Sequence, residues 1–126
     1  KPNCCDTPSP AWDTCYRHQV FQTTQKVVES IPEIKDRHSV AFQSRLRKDP
    51  WLLPATPDEI ERLAQSGCKS LVVVCPSFVS DCLETLEEIN MEARSQFLEA
   101  GGDTFTYIPC LNHHPLWIDA LASYEP

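Results

Sequence analysis

Basic side chains are scarce in this chain of 126 residues. Lys and Arg together number 11 against 18 Asp and Glu, which gives a formal net charge of -7 at pH 7. A protein that binds nucleic acid usually carries a basic patch that neutralises phosphates. The only basic cluster here is Arg45, Arg47 and Lys48, which is small enough to be a solvated turn. We therefore expect no nucleic-acid partner.

Long apolar runs are also missing. No run approaches the roughly 20 residues that a membrane-spanning helix needs, and no signal peptide precedes Lys1. These absences predict a soluble, cytoplasmic protein without a transmembrane segment, and they leave peripheral membrane contact open. The first residue is Lys1 rather than Met, which suggests a piece of a longer protein. The length suits a single hydrophobic core.

Cysteine, in contrast, is plentiful. The chain has 7 cysteines, an odd number, and four of them lie within helix and strand patterns, where reduced thiols are more typical than a disulfide framework: Cys68, Cys75, Cys82 and Cys110. The other three, Cys4, Cys5 and Cys15, lie in or beside a proline-rich segment, residues 1–14, which is predicted to be a loop. Zinc and iron-sulfur sites use such thiols but take four ligands. Ordinary reduced thiols or a labile disulfide are equally good interpretations.

Helix and strand patterns alternate along the rest of the chain. The predicted order is αβαβαβα, with helices at residues 13–30, 56–66, 81–100 and 116–124 and strands at residues 40–42, 71–75 and 105–108. The uncharged strand 71–75 is expected to be buried on both faces. This alternation predicts an α/β fold: a parallel sheet with right-handed crossovers and helices on both faces.

The most distinctive stretch is the acidic helix after strand 71–75. Asp81 is a plausible N-cap, and Glu84, three residues later, completes the spacing of a capping box. The helix would then place carboxylates at the carboxyl end of a central strand. Ligands bind at that edge in open α/β sheets.

Three glutamates of this helix are spaced four residues apart. Glu84, Glu88 and Glu92 therefore lie on one stripe of the helix, with Asp81 close to it. One interpretation is a solvated face opposite core positions Leu83, Leu86, Ala93 and Phe97. The other is a row of oxygen ligands that passes a divalent cation or protons along a cleft. In the second case one of these neighbouring carboxyl groups should have a raised pKa.

Three segments of the chain carry a resemblance to a known family. VCPSFVSDCLETLEEINME, residues 74–92, looks like the signature of the ferrochelatase family. HSVAFQSRLRKDPWLLPATPDEIERLAQSGCKSLVVV, residues 38–74, and YIPCLNHHPLWIDALA, residues 107–122, are similar to the family segments before and after it. The resemblance implies a chelatase-like half-domain at residues 15–126, preceded by a cysteine-containing loop at residues 1–14. The strand that opens the family's half-domain and carries its catalytic histidine is missing.

The resemblance also implies an activity and a site. Ferrochelatases are lyases that insert ferrous iron, their substrate, into a porphyrin to make haem. Glu84 matches the family's catalytic carboxylate, and Trp51 and Phe78 match aromatic residues of the porphyrin pocket. Asp81, Glu88 and Glu92 match the path for metal or protons. The implied partner is the N-terminal half of the same enzyme, and the isolated fragment is expected to be inactive. Cys82 stands where many members have His, and Asn90 where many have Asp.

The cysteine loop has a family counterpart as well. CCDTPSPAWDTCYRHQVFQTT, residues 4–24, resembles an internal segment of bacterial ferrochelatases that is thought to hold a 2Fe-2S cluster. That segment has further cysteines, upstream of Lys1 and at the position of Val20. The resemblance implies that Cys4, Cys5 and Cys15 are a partial set of cluster ligands. The alternative functions are thus an iron-sulfur or metal-binding module, or a structural half-domain that is inactive without its partner half.

Overall fold

The first part of the fold is helical. The structure, a computed structural model, describes Cys4 and residues 7–45 and 50–124, so that Cys5, Arg47 and Lys48 lie outside the described residues. The chain divides into two units, Lys1–Ala41 and Phe42–Pro126. In the first unit a 3-10 helix, Pro10–Thr14, precedes helix α1, Tyr16–Ser30, and a second 3-10 turn, Pro32–Ile34, follows it. Helix α1 ends before Pro32 as predicted, because proline cannot continue a helix.

The second unit contains the sheet. Helix α2, Thr56–Gln65, leads to strand β1, Ser70–Val74. The acidic helix follows in three parts: α3, Leu83–Leu86; a π-helical segment, Glu88–Ala93; and α4, Arg94–Glu99. Strand β2, Thr104–Ile108, and helix α5, Pro115–Ala122, complete the unit. Gly67, which follows α2, has a φ of 91°, the left-handed conformation expected of a glycine after a helix.

Strands β1 and β2 pair in parallel. The register joins Ser70 to Thr104 and Val74 to Ile108, and the acidic helix makes the crossover between the strands. An α/β fold with a parallel sheet is therefore confirmed. The predicted strand at residues 40–42 is wrong, because only Phe42 forms a bridge, to Ala55. This short apolar segment serves instead to bury Phe42, whose exposed fraction is 5%.

The core lies on one face of the sheet. Helices α2 and α4 and the π-helical segment supply Ile60, Ala64, Ile89, Ala93 and Phe97, which cluster with Phe105 of β2. On the opposite face Val72 and Val74 are 58% and 51% exposed. The prediction that β1 is buried on both faces is thus wrong for this unit. Alternate side chains of a strand point to opposite faces, and the described helices of the unit that join the core cluster cover only one of them.

A close approach between Gly102 and Phe97 joins the acidic helix to β2. A Cβ atom at Gly102 would lie 2.2 to 2.5 Å from three atoms of the Phe97 ring. The ring is fully buried and cannot move aside easily. We expect Gly102→Ala to lower the free energy of unfolding in urea by roughly 1–3 kcal/mol, the usual effect of overpacking.

The exposed Ser95→Ala is the matched control and should change the free energy of unfolding by less than about 0.5 kcal/mol. Phe97→Leu should be less harmful in the Gly102→Ala background than alone, because the smaller side chain makes room for the new methyl group. Additive effects of the two substitutions would contradict this contact.

Candidate functional site

The acidic helix contains a π turn at its glutamates. The backbone N–H of Glu92 donates to the carbonyl of Glu87 at 2.9 Å, which is an i to i+5 hydrogen bond. The regular α-helix predicted for residues 81–100 is therefore interrupted over Glu88–Ala93. Such π segments are rare, and they occur frequently at functional sites.

The helix begins differently from the prediction. Cys82, not Asp81, is the N-cap, and the third helical position is Thr85, not Glu84. The Thr85 hydroxyl accepts a hydrogen bond from the backbone N–H of Cys82 at 3.0 Å. Thr85 is fully buried and short enough to reach this N–H, whereas Glu84 points outward and stays exposed. The predicted capping box of Asp81 and Glu84 is therefore wrong.

Asp81 is held by the loop that follows β2. Its carboxylate accepts hydrogen bonds from the Tyr107 hydroxyl at 2.5 Å and from the Asn112 amide nitrogen at 2.7 Å. The backbone N–H of Cys110 and the Thr85 hydroxyl donate at 3.3 Å and 3.1 Å. Hydrogen bonds, first from Asn112 and then from Tyr107, hold the pKa of Asp81 well below its usual range.

Glu84 lies exposed one turn further along. Hydrogen bonds from the Cys82 side chain and from its own backbone N–H hold the pKa of Glu84 below its usual range. The sequence predicts a raised pKa for one carboxyl group of this set, and neither Glu84 nor Asp81 is that group, because the donors around both stabilise the ionised form. The carbonyl of Glu84 accepts a hydrogen bond from the Gln43 amide at 2.6 Å, which ties this turn to the loop after Phe42.

Ser44 donates two hydrogen bonds to Glu88. Its backbone N–H and its hydroxyl donate to the two carboxylate oxygens of Glu88 at 2.5 Å and 2.6 Å. Ser44 has a φ of 61°, a left-handed conformation that is uncommon for a residue other than glycine. Strained backbone of this kind is often found where a binding site is built. Gln43 and Ser44 were not predicted as site residues, because nothing in an irregular loop signals contact with a helix some 40 residues away.

The two predicted pocket aromatics differ in their surroundings. The indole N–H of Trp51 donates to the carbonyl of Gln43 at 3.0 Å, and the side chain is 42% exposed. Trp51 therefore lies beside the loop that holds Glu84 and Glu88, with part of its ring accessible. Phe78 is half-buried and packs against the core cluster. The structure thus connects Trp51 to the acidic helix through Gln43, whereas Phe78 contacts the core cluster.

Two clefts lie along the acidic row, the name we give to Glu84, Glu88 and Glu92. One, of about 270 Å³, is lined by residues that include Ser44, Arg45, Thr56, Glu88 and Glu92. The other, of about 280 Å³, is lined by Leu83, Glu84, Glu87, Glu88 and Glu92. Glu88 and Glu92 therefore border both concavities.

The core side of the helix differs in part from the prediction. Ala93 and Phe97 are buried as expected, but Leu83 and Leu86 are 68% and 47% exposed. Thr85 and Ile89 fill core positions instead, and with the buried Ala93 and Phe97 they recur at every fourth residue and thus lie on the same side of the helix.

The thiols lie in two kinds of environment. Cys4 is exposed and Cys15 half-buried, and Cys5 is outside the described residues. Burial raises the pKa of Cys75 to about 12, which keeps this thiol protonated. In the part of the chain that the structure describes, no three His, Cys, Asp or Glu side chains are grouped so that they could hold a metal ion. His113 and His114 are both exposed.

Comparison with known proteins agrees with this arrangement. A family model described as Ferrochelatase matches residues 7–124. The chain belongs to the ferrochelatase family. It is 55% identical over 121 residues to a ferrochelatase of Opitutus terrae, a match that covers 96% of this chain and 35% of the relative.

Other ferrochelatases share the same region. Ferrochelatases of Ectopseudomonas mendocina and Bdellovibrio bacteriovorus are 47% and 44% identical over 120 residues, covering 94% and 95% of this chain and 35% and 36% of the relatives. The chain therefore spans 35–36% of the length of these ferrochelatases. Among the described residues, no helix combines the length and the apolar character needed to cross a bilayer.

The hydrogen bonds from Ser44 to Glu88 can be tested by removing the Ser44 hydroxyl. Ser44→Ala keeps the backbone N–H but loses one charge-assisted hydrogen bond, so we expect the free energy of unfolding in urea to fall by about 1.5 kcal/mol. Ser44→Gly loses the same bond but relieves the left-handed backbone, so it should recover roughly 1 kcal/mol of that loss. Equal effects of the two substitutions would contradict backbone strain at Ser44. If neither substitution changed the free energy of unfolding, the hydrogen bonds to Glu88 would be contradicted.

The ionised Asp81 predicts a loss of stability in acid. A carboxyl group whose folded pKa is depressed contributes stability above its unfolded pKa, near 4, and this contribution is lost as the pH falls through the folded value. We expect the melting temperature of the chain to fall from pH 5 towards pH 2, and Asp81→Asn to flatten that fall. The exposed Asp103→Asn is the control. Identical pH profiles for Asp81→Asn and the unchanged chain would contradict the prediction.

Proposed function

We propose that this chain is the C-terminal part of a ferrochelatase that inserts ferrous iron into a porphyrin to make haem. The observation that carries the proposal is the row of Glu84, Glu88 and Glu92, all three of which line one cleft, in a chain that belongs to this family. The row follows β1 at its carboxyl end, where open α/β sheets bind ligands. Insertion exchanges two pyrrole protons for one ferrous ion.

Glu84 is the carboxylate that we assign to the reacting centre. Glu84 is ionised at neutral pH, as an ordinary carboxyl group is, and its pKa is lowered further. An ionised carboxylate is a hard oxygen ligand that a divalent cation accepts. Negative charge there favours the approach of ferrous iron, and it also stabilises the departing protons. The hydrogen bond from Gln43 to its carbonyl holds the helical turn that carries Glu84.

Glu88 and Glu92 continue the path for ferrous iron or protons beyond Glu84. Both line the cleft that Glu84 also lines and, in addition, a second cleft that Glu84 does not reach, so they extend the acidic surface away from Glu84. The hydrogen bonds of Ser44 fix the Glu88 carboxylate, whereas Glu92 is exposed. This difference supports a route in which Glu92 takes up the cation or proton from solvent and Glu88 orients it.

Trp51 offers a flat apolar surface for the macrocycle. Its ring is partly exposed, and its indole N–H is fixed on Gln43, so the plane of the ring is held in place. Aromatic side chains of this kind contact flat ligands through their faces. Phe78 is only half-buried where it packs against the core cluster, and we propose that its remaining surface also contacts the porphyrin.

The partner that we propose is the N-terminal half of the same enzyme. The apolar face of β1 that carries Val72 and Val74 is exposed in this unit and offers it a packing surface. We propose a cytoplasmic location, which is supported by four thiols outside any disulfide, because such thiols are typical of reducing compartments: Cys68, Cys75, Cys82 and Cys110.

The alternative of an iron-sulfur module is not favoured. A 2Fe-2S cluster is held by four thiolates, and only three cysteines, Cys4, Cys5 and Cys15, are available in this segment of the chain. The donor set therefore does not fit a cluster held by this segment alone, and we assign no step of the reaction to one.

The proposed function can be tested by substituting Glu84 in the full-length protein. Glu84→Gln keeps the size of the side chain but removes its charge, so we expect the rate of iron insertion to fall at least about 100-fold. Porphyrin binding, followed by visible absorbance, should persist. Glu99→Gln, an exposed change on α4, is the matched control and should retain its rate. Retained turnover in Glu84→Gln would remove Glu84 from the mechanism, and an inactive unmodified protein would contradict the proposed function.

A further inference from the structure

Asn112 and Asp81 are joined by a reciprocal pair of hydrogen bonds. The Asn112 amide nitrogen donates to the Asp81 carboxylate at 2.7 Å, and the backbone N–H of Asp81 donates to the Asn112 side-chain oxygen at 2.8 Å. The backbone N–H of Asn112 donates to the carbonyl of Val79 at 2.9 Å. Asn112 has a φ of 50°, a left-handed conformation that Asn adopts more readily than most residues. One asparagine thus holds the segment before the acidic helix at three points.

Both oxygens of the Asp81 carboxylate accept hydrogen bonds from the protein. One of its oxygens accepts from Tyr107, Thr85 and the backbone N–H of Cys110, and the other accepts from Asn112. A group that relays protons or passes a metal ion must exchange its partners during turnover. Four donors of the protein itself face this carboxylate, so such an exchange would have to break bonds that hold the fold together.

These contacts point to a different role for Asp81. We infer that Tyr107 and Asn112 are positioning residues, which act through Asp81 to fix the first turn of the acidic helix and hence the place of Glu84. Asp81 is then an anchor and does not carry iron or protons itself.

Thr85 links Asp81 to the first turn of the acidic helix. Its hydroxyl accepts from the backbone N–H of Cys82 and shares its one hydrogen between the Asp81 carboxylate and the carbonyl of Cys82, each at 3.1 Å, so Asp81 is in contact with the first turn. Thr85 is fully buried, and Glu84 is its neighbour in the chain. A shift of Asp81 would therefore move Glu84. Misplacement of a reacting group by about 1 Å can reduce a rate about 100-fold.

An exchange of the two side chains separates an anchor from a chemical role. Asp81→Asn places amide donors against donors, and Asn112→Asp places one carboxylate against another, so each single substitution breaks the pair. The double substitution restores a donor and an acceptor with the carboxylate on the other partner, and the oxygen of the new asparagine can still accept from Tyr107. A positioning role is rescued by this exchange, whereas a carboxylate required at residue 81 is not.

The measurements are made on the full-length protein. The activity measurement rests on the proposed function: we expect each single variant to lose at least about tenfold in kcat for iron insertion, with little change in KM for porphyrin, and the double variant to return to within about threefold of the unmodified protein. Tyr107→Phe, which removes one donor, should lose less than either. Asp103→Asn, an exposed aspartate, is the matched control and should retain its activity.

Amide hydrogen exchange at residues 82–86 tests the positioning without relying on activity. We expect faster exchange in both single variants and restored protection in the double variant. If the unmodified protein inserts no iron, the proposed function fails, and exchange alone decides whether the anchor exists. Restored protection without restored turnover in an otherwise active enzyme would overturn the inference, because the Asp81 carboxylate would then act in the reaction. A double variant that recovers neither property would also overturn it.

Discussion

The burial of one side of the acidic helix against the sheet determines where its carboxylates lie. Phe97 is fully buried and Ile89 is 1% exposed, and with Thr85 and Ala93 they form a core row at every fourth residue. Each of Glu84, Glu88 and Glu92 directly precedes a member of this row. Because successive residues of a helix lie about a quarter of a turn apart, the core row places the acidic row at the edge of the packed surface. Truncation of a buried Phe to Ala typically costs about 3–5 kcal/mol, so the core row holds the acidic row firmly.

Two stretches that are distant in the sequence build the site. The acidic helix supplies charge, and the loop after Phe42 supplies the donors that orient it: Gln43 on the carbonyl of Glu84 and Ser44 on the carboxylate of Glu88. Trp51 is bonded to the same loop. The loop therefore links an aromatic surface to a charged one, as a site for a flat ligand and a cation requires.

Much of the fold could be predicted from local patterns. The end of α1 at Pro32, the glycine after α2, and strands β1 and β2 follow from proline, glycine and β-branched residues. The cap at Cys82, the π turn and the exposure of Leu83 could not be predicted, because they depend on which residues reach the core once the chain has folded. The bonds from Ser44 to Glu88 and from Asn112 to Asp81 join residues 44 and 31 positions apart, and no short-range pattern encodes them.

The buried thiol of Cys75 has a practical consequence. It lies at the end of β1, and its sulfur donates a weak hydrogen bond to the side-chain oxygen of Gln43 at 3.5 Å. Since only the thiolate reacts with alkylating reagents, a protonated and enclosed sulfur is inert while the fold is closed. The rate at which this thiol is alkylated would therefore report how often the fold opens around Cys75, without any label being introduced.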